Sequence, residues 1–488
     1  MWVELGEVLR NAGRGGEAAE AYLTAASGSS LHDRIDLERR AAEELLRNGH
    51  VDRGMVVLSS VLRAVGLRMP RSPRTALLGL IARRLETRLR GLGYVERSAD
   101  TLDASELLRL DTCWSVAVGL GMVDTVRAAY FQVRHLLLAL TAGEPLRVAR
   151  ALALEVAFSG NAGGREIERT ARIASQTMDL ALRVQDPQVL GLAHLTRGIA
   201  FYLEGEWRKS LEHCERAEEI FRERCAGIFE ELDSAHHFGL RSLYFLGEIK
   251  ELALRLPALL KDAEDRGDLY GKTMLSIRNS YIIHLAADDG AGARRQSEEA
   301  IEQWSQRGFH NQHYVYLCSQ TEMDLYLGEG AAAWSRITAG WKSLKKSLLL
   351  RVQLAFIEAT HLRARCALAA AASGAIDLLP QAELAAAIVE KENMPWANPL
   401  ARTVRAGIAA LLGRRDAAAL LLEESEAQLT AAQMGLFAAA ARRRRGELTG
   451  GEIGRGLIAS ADRQMASQRI VNPSRMTAML LPGRFDAR

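Results

Sequence analysis

A glycine followed at fixed distances by a small, a large and a small side chain recurs along this chain, and few folds can use such a repeat. Gly13 leads to Ala18, Tyr22 and Ala25, and Gly205 leads to Ser210, Cys214 and Ala217. Gly413 leads to Ala418, Leu422 and Ser425, Gly328 to Ala333, Ile337 and Gly340, and Gly49 to Gly54, Leu58 and Val61. Gly247 is the poorest instance, because Leu252 and Leu259 stand where small residues stand elsewhere. Spacings of four and three place the three side chains on one face of a helix, and the glycine marks the turn before it. Ahead of Gly13, Trp2, Leu5 and Leu9 form an apolar stripe, with Gly6 small where a partner helix must approach. Each unit is therefore a helix, a turn and a second helix. Gly13 to Gly49 is 36 residues and Gly205 to Gly247 is 42; Gly49 to Gly205, at 156, divides into four units of 39.

A two-helix hairpin cannot bury its apolar face alone, whereas stacked hairpins share a continuous core. The expected fold is all-α: a tetratricopeptide-like α-solenoid of stacked helical hairpins wound into a superhelix, with roughly 24 helices at two per ~40-residue unit. Composition agrees. Ten prolines in 488 residues, and an apolar content of 48 % with only 6 % aromatic, suit long helices and disfavour sandwiches, barrels and doubly wound sheets. The formal net charge of +3 supplies no global field to attract nucleic acid or an anionic membrane, so neither is an expected partner. Five scattered cysteines without a C-x-x-C pair point to a reducing compartment. With no signal peptide and no apolar run approaching ~20 residues, the expected location is cytoplasmic.

Four regions are expected: repeats over 1–66, atypical helical pairs with a basic helix over 67–164, repeats over 165–446, and capping helices over 447–488. Pro70 and Pro73 interrupt the second region, and Asn472-Pro473 opens a last short helix. Met1 stands one residue before the first repeat's Trp2, leaving no room for an N-terminal cap. This suggests the C-terminal part of a longer protein.

The segment from Trp2 to Ala25 resembles the tetratricopeptide pattern W-x₂-L-G-x₂-Y followed by A-x₃-F, with Leu9 in place of the tyrosine. Further segments extend the likeness: LRLDTCWSVAVGLGMVDTVRAAYFQVRHLLLAL, GEPLRVARALALEVAFSG, GFHNQHYVYL, SLLLRVQLAFIEATHLRARCALA and NPSRMTAMLLPG. Together they resemble the C-terminal region of large bacterial, myxobacterial-type serine/threonine protein kinases, in which a kinase domain and an ATPase module precede a tetratricopeptide-like array. The resemblance implies a regulatory array whose partners are proteins or peptides, including the kinase and ATPase domains upstream.

No motif for chemistry accompanies it. The sequence has no G-x-x-x-x-G-K-[ST] loop, no H-R-D or D-F-G segment, no H-E-x-x-H and no G-x-S-x-G. The reading is of a non-catalytic binding or sensor scaffold without cofactor or metal. Two alternatives are the sensor arm of an ATPase-plus-repeat transcriptional activator and an enzyme with its site in a helical cavity. His310 and His313, spaced H-x-x-H, are read as imidazoles at a helix start. For a concave binding face the candidates are His313, Tyr314, Tyr316 and Gln320, polar and aromatic residues on the first helix of a hairpin. A second candidate surface is the basic helix from about Arg74 to Leu92, with Arg83, Arg84 and Arg88 on a solvated face and Leu77, Ile81 and Leu85 turned to the array.

Overall fold

All six turn glycines adopt positive φ, between 72° and 87°. Gly205 shows why. The helix Pro187–Glu204 ends there with φ 87°, the Gly205 amide bonds the Tyr202 carbonyl, and the Glu206 amide bonds the Phe201 carbonyl. This Schellman pair satisfies the last carbonyls of one helix and turns the chain into Trp207–Arg224 within two residues. Without a Cβ, the left-handed conformation carries no steric cost. In this computed structural model, which describes residues 1–121 and 123–486, turns of this kind recur at Gly13, Gly49, Gly247, Gly328 and Gly413.

Counting 269–286 as one helix with an internal π turn, the described residues form 24 helices and no strand. They pair into eleven hairpins, from Trp2–Asn11 with Gly15–Ala26 to Gly435–Thr449 with Gly451–Ser467. Two helices stand outside the pairs, Pro73–Arg90 and Pro473–Leu480. The chain is an all-α solenoid of stacked hairpins.

Several local expectations change. Gly49 to Gly205 holds three hairpin steps and one extra helix, not four equal units. The extra helix starts at Pro73 with a Ser72–Thr75 capping box and lies across Thr125–Ala142, Gly79 packing on Tyr130. Most of its apolar stripe faces outward: Leu78, Ile81, Leu85 and Leu89 are exposed, while Leu77 and Leu80 are half-buried. From Ala104 onward the hairpins are regular, and residue 164 lies between the two helices of one pair, Pro145–Gly160 and Ile167–Val184. The boundary expected at 446/447 falls inside the helix Gly435–Thr449, and Gly450 alone, at φ 65°, separates that helix from Gly451–Ser467. Between Gly247 and Gly328 the missing turn glycine is replaced by Asp288, at φ 61°.

The stack curls until successive windings touch. The Gln353 amide bonds the Asn161 carbonyl at 3.0 Å, and the Gly164 amide bonds Gln353 Oε1 at 2.9 Å, 189 residues away. Arg475 pairs with Asp288 at 3.0 Å, 187 residues away. The Val471 amide bonds the Ala286 carbonyl at 2.8 Å. A winding therefore takes up about five hairpins. Turn glycines form this seam too. A Cβ on Gly205 would meet Trp396 at 2.1 Å, and one on Gly247 would meet the Leu436 backbone nitrogen at 2.6 Å. Trp396 in turn lies edge-on to Trp207 at 5.5 Å, and Trp207 stacks on Phe245 at 4.0 Å.

Trp396→Ala empties this seam and is expected to cost about 3–5 kcal/mol. Trp2→Ala, on the open face of the first helix, is expected to stay within about 0.5 kcal/mol. Urea unfolding of the two variants beside the parent chain measures both.

Candidate functional site

The windings enclose a lumen along the superhelix axis. Its wall is built by the first helices of successive hairpins: Ala104–Gly119, Pro145–Gly160, Pro187–Glu204, Phe229–Leu246, 269–286, Asn311–Tyr326 and Gln353–Ala372. A chamber of about 210 Å³ opens between them. Both windings contribute, since Trp114 and Leu154 lie on one and Leu354 and Glu358 on the next. Most of the wall is apolar, with Trp114, Leu154, Phe158, Leu195, Ile199 and Phe238 the largest groups.

One end of the chamber is cationic. Arg278 Nη2 donates to Tyr202 Oη at 3.3 Å and to Glu358 Oε2 at 3.4 Å. Arg241 Nη2 donates to the other carboxylate oxygen of Glu358 at 3.1 Å. Two guanidiniums thus share one carboxylate, and the Nε of each has no protein acceptor. Arg278 is presented by the π turn Ser276–Ser280, whose extra residue breaks the helical register at that point. His237 faces the same end, and burial, with Arg278 and Arg241 beside it, holds its pKa well below the usual imidazole value. Beyond this end the lumen narrows to a cleft of about 50 Å³, where Arg365 pairs with Glu322 at 2.5 Å and Tyr281 Oη donates to Glu322 at 2.5 Å.

The opposite end is acidic. Glu230 and Glu231 line it and lean on Arg47, at 2.6 Å and 3.9 Å, while Glu43 takes a third side of Arg47 at 2.7 Å. Burial pushes Glu230 up to about 8 and Glu44 up to about 7, so both hold protons near neutrality. Trp114 separates this end from a charged vestibule of about 320 Å³ bordered by Arg10, Arg40, Asp111 and Arg150.

The candidate residues are dispersed. Tyr314 is 3 % exposed, lines the chamber and donates to the Ala355 carbonyl at 3.3 Å. Gln320, 1 % exposed, accepts from Arg294 at 3.4 Å, inside the hairpin interface with Gly290–Glu302. Tyr316 lies on that side as well, near Glu298, Arg336 and Arg294. His313 Nδ1 accepts the His310 backbone amide at 3.0 Å, at the helix start. Arg83 is exposed and pairs with Glu86 at 2.5 Å. Arg84 turns inward to the buried Glu155, and Arg88 reaches Glu166 at 2.5 Å. Tyr314 alone of these seven borders the lumen chamber. The groups that give the chamber its charge, Arg241, Arg278 and Glu358, were not candidates. A signal existed for Arg241, a lone cation inside the apolar run HFGLRSLYFL.

Among the described residues, no group of three or more His, Cys, Asp or Glu could hold a metal ion, and no helix is long and apolar enough to cross a membrane. Burial raises the thiols of Cys113, Cys214 and Cys318 to about 12, which keeps them protonated. No protein-family model matches the chain, and no curated protein matches it.

The buried titratable groups predict how stability follows pH. Glu44, Glu204 and Glu230 have raised values in the fold, so their contribution is present below the unfolded value of 4.5 and lost as pH rises through about 7 to about 8. Histidines are lowered, His135 to about 3 and His194 and His313 to about 4. Their contribution is full above 6.5 and lost as pH falls through those values. Lowered histidines, among them His50, His213, His237, His310 and His361, outnumber the raised carboxyls. Thermal unfolding by circular dichroism is therefore expected to give the highest Tm near pH 6.5, with a decline on both sides.

Proposed function

We propose that the chain is a non-catalytic sensor scaffold: a regulatory array that holds a ligand in its lumen and reports it to a partner protein, the kinase and ATPase domains of a bacterial signalling protein. One observation carries this reading. The chamber is lined by side chains from two windings, so whatever occupies it bears on the contact between them. A ligand that binds the closed arrangement better than an opened one shifts the balance toward closure by its differential affinity. The outer surface of the array then differs between the two states, and a partner docked there senses the difference.

Two sequence properties support the non-catalytic part. Phosphate-cradling and kinase motifs are absent from the chain, and the family it resembles carries its chemistry upstream. A chamber of about 210 Å³ also suits a small molecule better than a peptide. The partner belongs on the outside of the array, and a reducing cytoplasm is the compartment that suits its five free cysteines.

The test uses the purified chain. It is expected to show no ATP hydrolysis and no phosphoryl transfer. The small-molecule fraction of a heat-treated cell extract is expected to raise its Tm, and to leave unchanged the Tm of a Leu195→Trp variant with a filled chamber. ATP turnover, or an equal response of both chains, overturns the reading.

A further inference from the structure

In the narrow part of the lumen, guanidiniums outnumber carboxylates. Arg241, Arg278 and Arg365 face one another across its narrow part, with Glu322 and Glu358 as their carboxylates. Glu322 is taken by Arg365 and by Tyr281. Glu358 is divided between Arg241 and Arg278, and the longer contact, at 3.4 Å, belongs to Arg278. The other groups facing Arg278 are the neutral Tyr202, Tyr314 and His237. One guanidinium is left in excess, and it is the one that borders the chamber. Arg278 is largely withdrawn from solvent, with its side chain 11 % exposed, and a counter-ion in the chamber would complete its pairing. A π turn marks the same residue, and such turns cluster at functional sites.

The rest of the chamber limits what else the ion carries. Its wall is apolar from Trp114 to Phe238. A cavity of ~150 Å³ with such a wall takes a benzene molecule. By that scale the 210 Å³ here accepts a body of roughly eight heavy atoms. Orientation is set by Arg278, the one cation among the described residues that line the chamber, which attracts a negative head.

The geometry points to a binding site for a small amphipathic anion, an apolar chain or ring system ending in a single carboxylate, with the carboxylate on Arg278 and the apolar body between Trp114, Leu195 and Phe238. Arg278 offers the planar fork that a carboxylate matches, and Tyr202 Oη lies beside it as a further donor. This assignment rests on the sensor reading and names the class of molecule sensed.

Calorimetry with octanoate, octan-1-ol and octylamine on the full chain tests it. Octanoate is expected to bind more tightly than octan-1-ol, and octylamine not to compete. Arg278→Met, which leaves Glu358 its Arg241 partner, is expected to weaken octanoate roughly tenfold or more and to leave octan-1-ol within about twofold. Arg278→Lys, which keeps the charge and loses the planar fork, is expected to bind octanoate with an affinity between those of the parent chain and Arg278→Met. Leu195→Trp and the milder Leu195→Phe are expected to weaken octanoate and octan-1-ol together. Equal binding of octanoate and octan-1-ol, or stronger binding of octylamine, overturns the anionic assignment. No binding of octanoate to a chain that the extract fraction still stabilises overturns the ligand class and leaves the sensor reading standing. No response to either overturns both.

Discussion

Closure of one winding on the next is the constraint from which the rest of this structure follows, and it depends on what the turn glycines lack. At Gly205 a left-handed residue is needed to end one helix and start the next within two positions. The same missing Cβ admits the edge of Trp396 from the following winding, at a distance no side chain would allow. Trp396 then joins Trp207 and Phe245 in a buried aromatic group that belongs to both windings. A single substitution to alanine at Gly205 strains the turn and blocks the seam together. An ordinary solenoid needs only the first of these properties. This one needs both, because its windings are in contact and not merely coaxial.

Closure explains why the lumen is chemically unusual. In an open superhelix the concave face is wet, and charged side chains there need no partner. Here the first helices of the hairpins are pressed around an enclosed axis. Arg241 and Arg365 are 4 % and 3 % exposed and depend on Glu358 and Glu322 for compensation. Buried pairs of this kind add little net stability against apolar substitutes, although breaking one is costly. Their presence along the axis is better explained by what they do to the chamber above them than by what they add to the fold.

The sequence discloses what is local. The small–large–small triplet after each glycine, the two-residue turns and the approximate helix number all arise within one hairpin, from residues a few positions apart. Asp288 shows the limit: it performs the turn that glycine performs elsewhere, so the repeat seems to lapse between Gly247 and Gly328 although the hairpin is present. The basic helix shows another. Apolarity alone turns Leu77, Ile81 and Leu85 inward, but the helix is an addition to the outer surface, and Gly79 on Tyr130 holds it with Ile81, Leu85 and Leu89 facing water. The lumen was hidden for a third reason. Glu358 meets Arg241 and Arg278 across 117 and 80 residues, and no local pattern encodes that meeting. The helix Asn311–Tyr326 is buried on several sides, so its own sequence could not tell that Tyr314 faces the lumen while Tyr316 and Gln320 face the neighbouring helix.

The proposed sensor needs no hinge. The chamber lies between windings that touch through a few definable groups: the Gln353 amide on Asn161, the Asp288 carboxylate on Arg475, and Trp396 on Gly205. Each contact spans more residues than any hairpin contains, so it contributes to closure and nothing to the integrity of an individual repeat. Hairpin stability and winding closure are then separable quantities, the first set by nearest-neighbour packing and the second by the seam and the lumen. An anion that compensates Arg278 adds to the second without touching the first. On the proposed reading, that separation would let a ligand of modest affinity change the shape of a large array, because it would have only to shift the seam and not the fold.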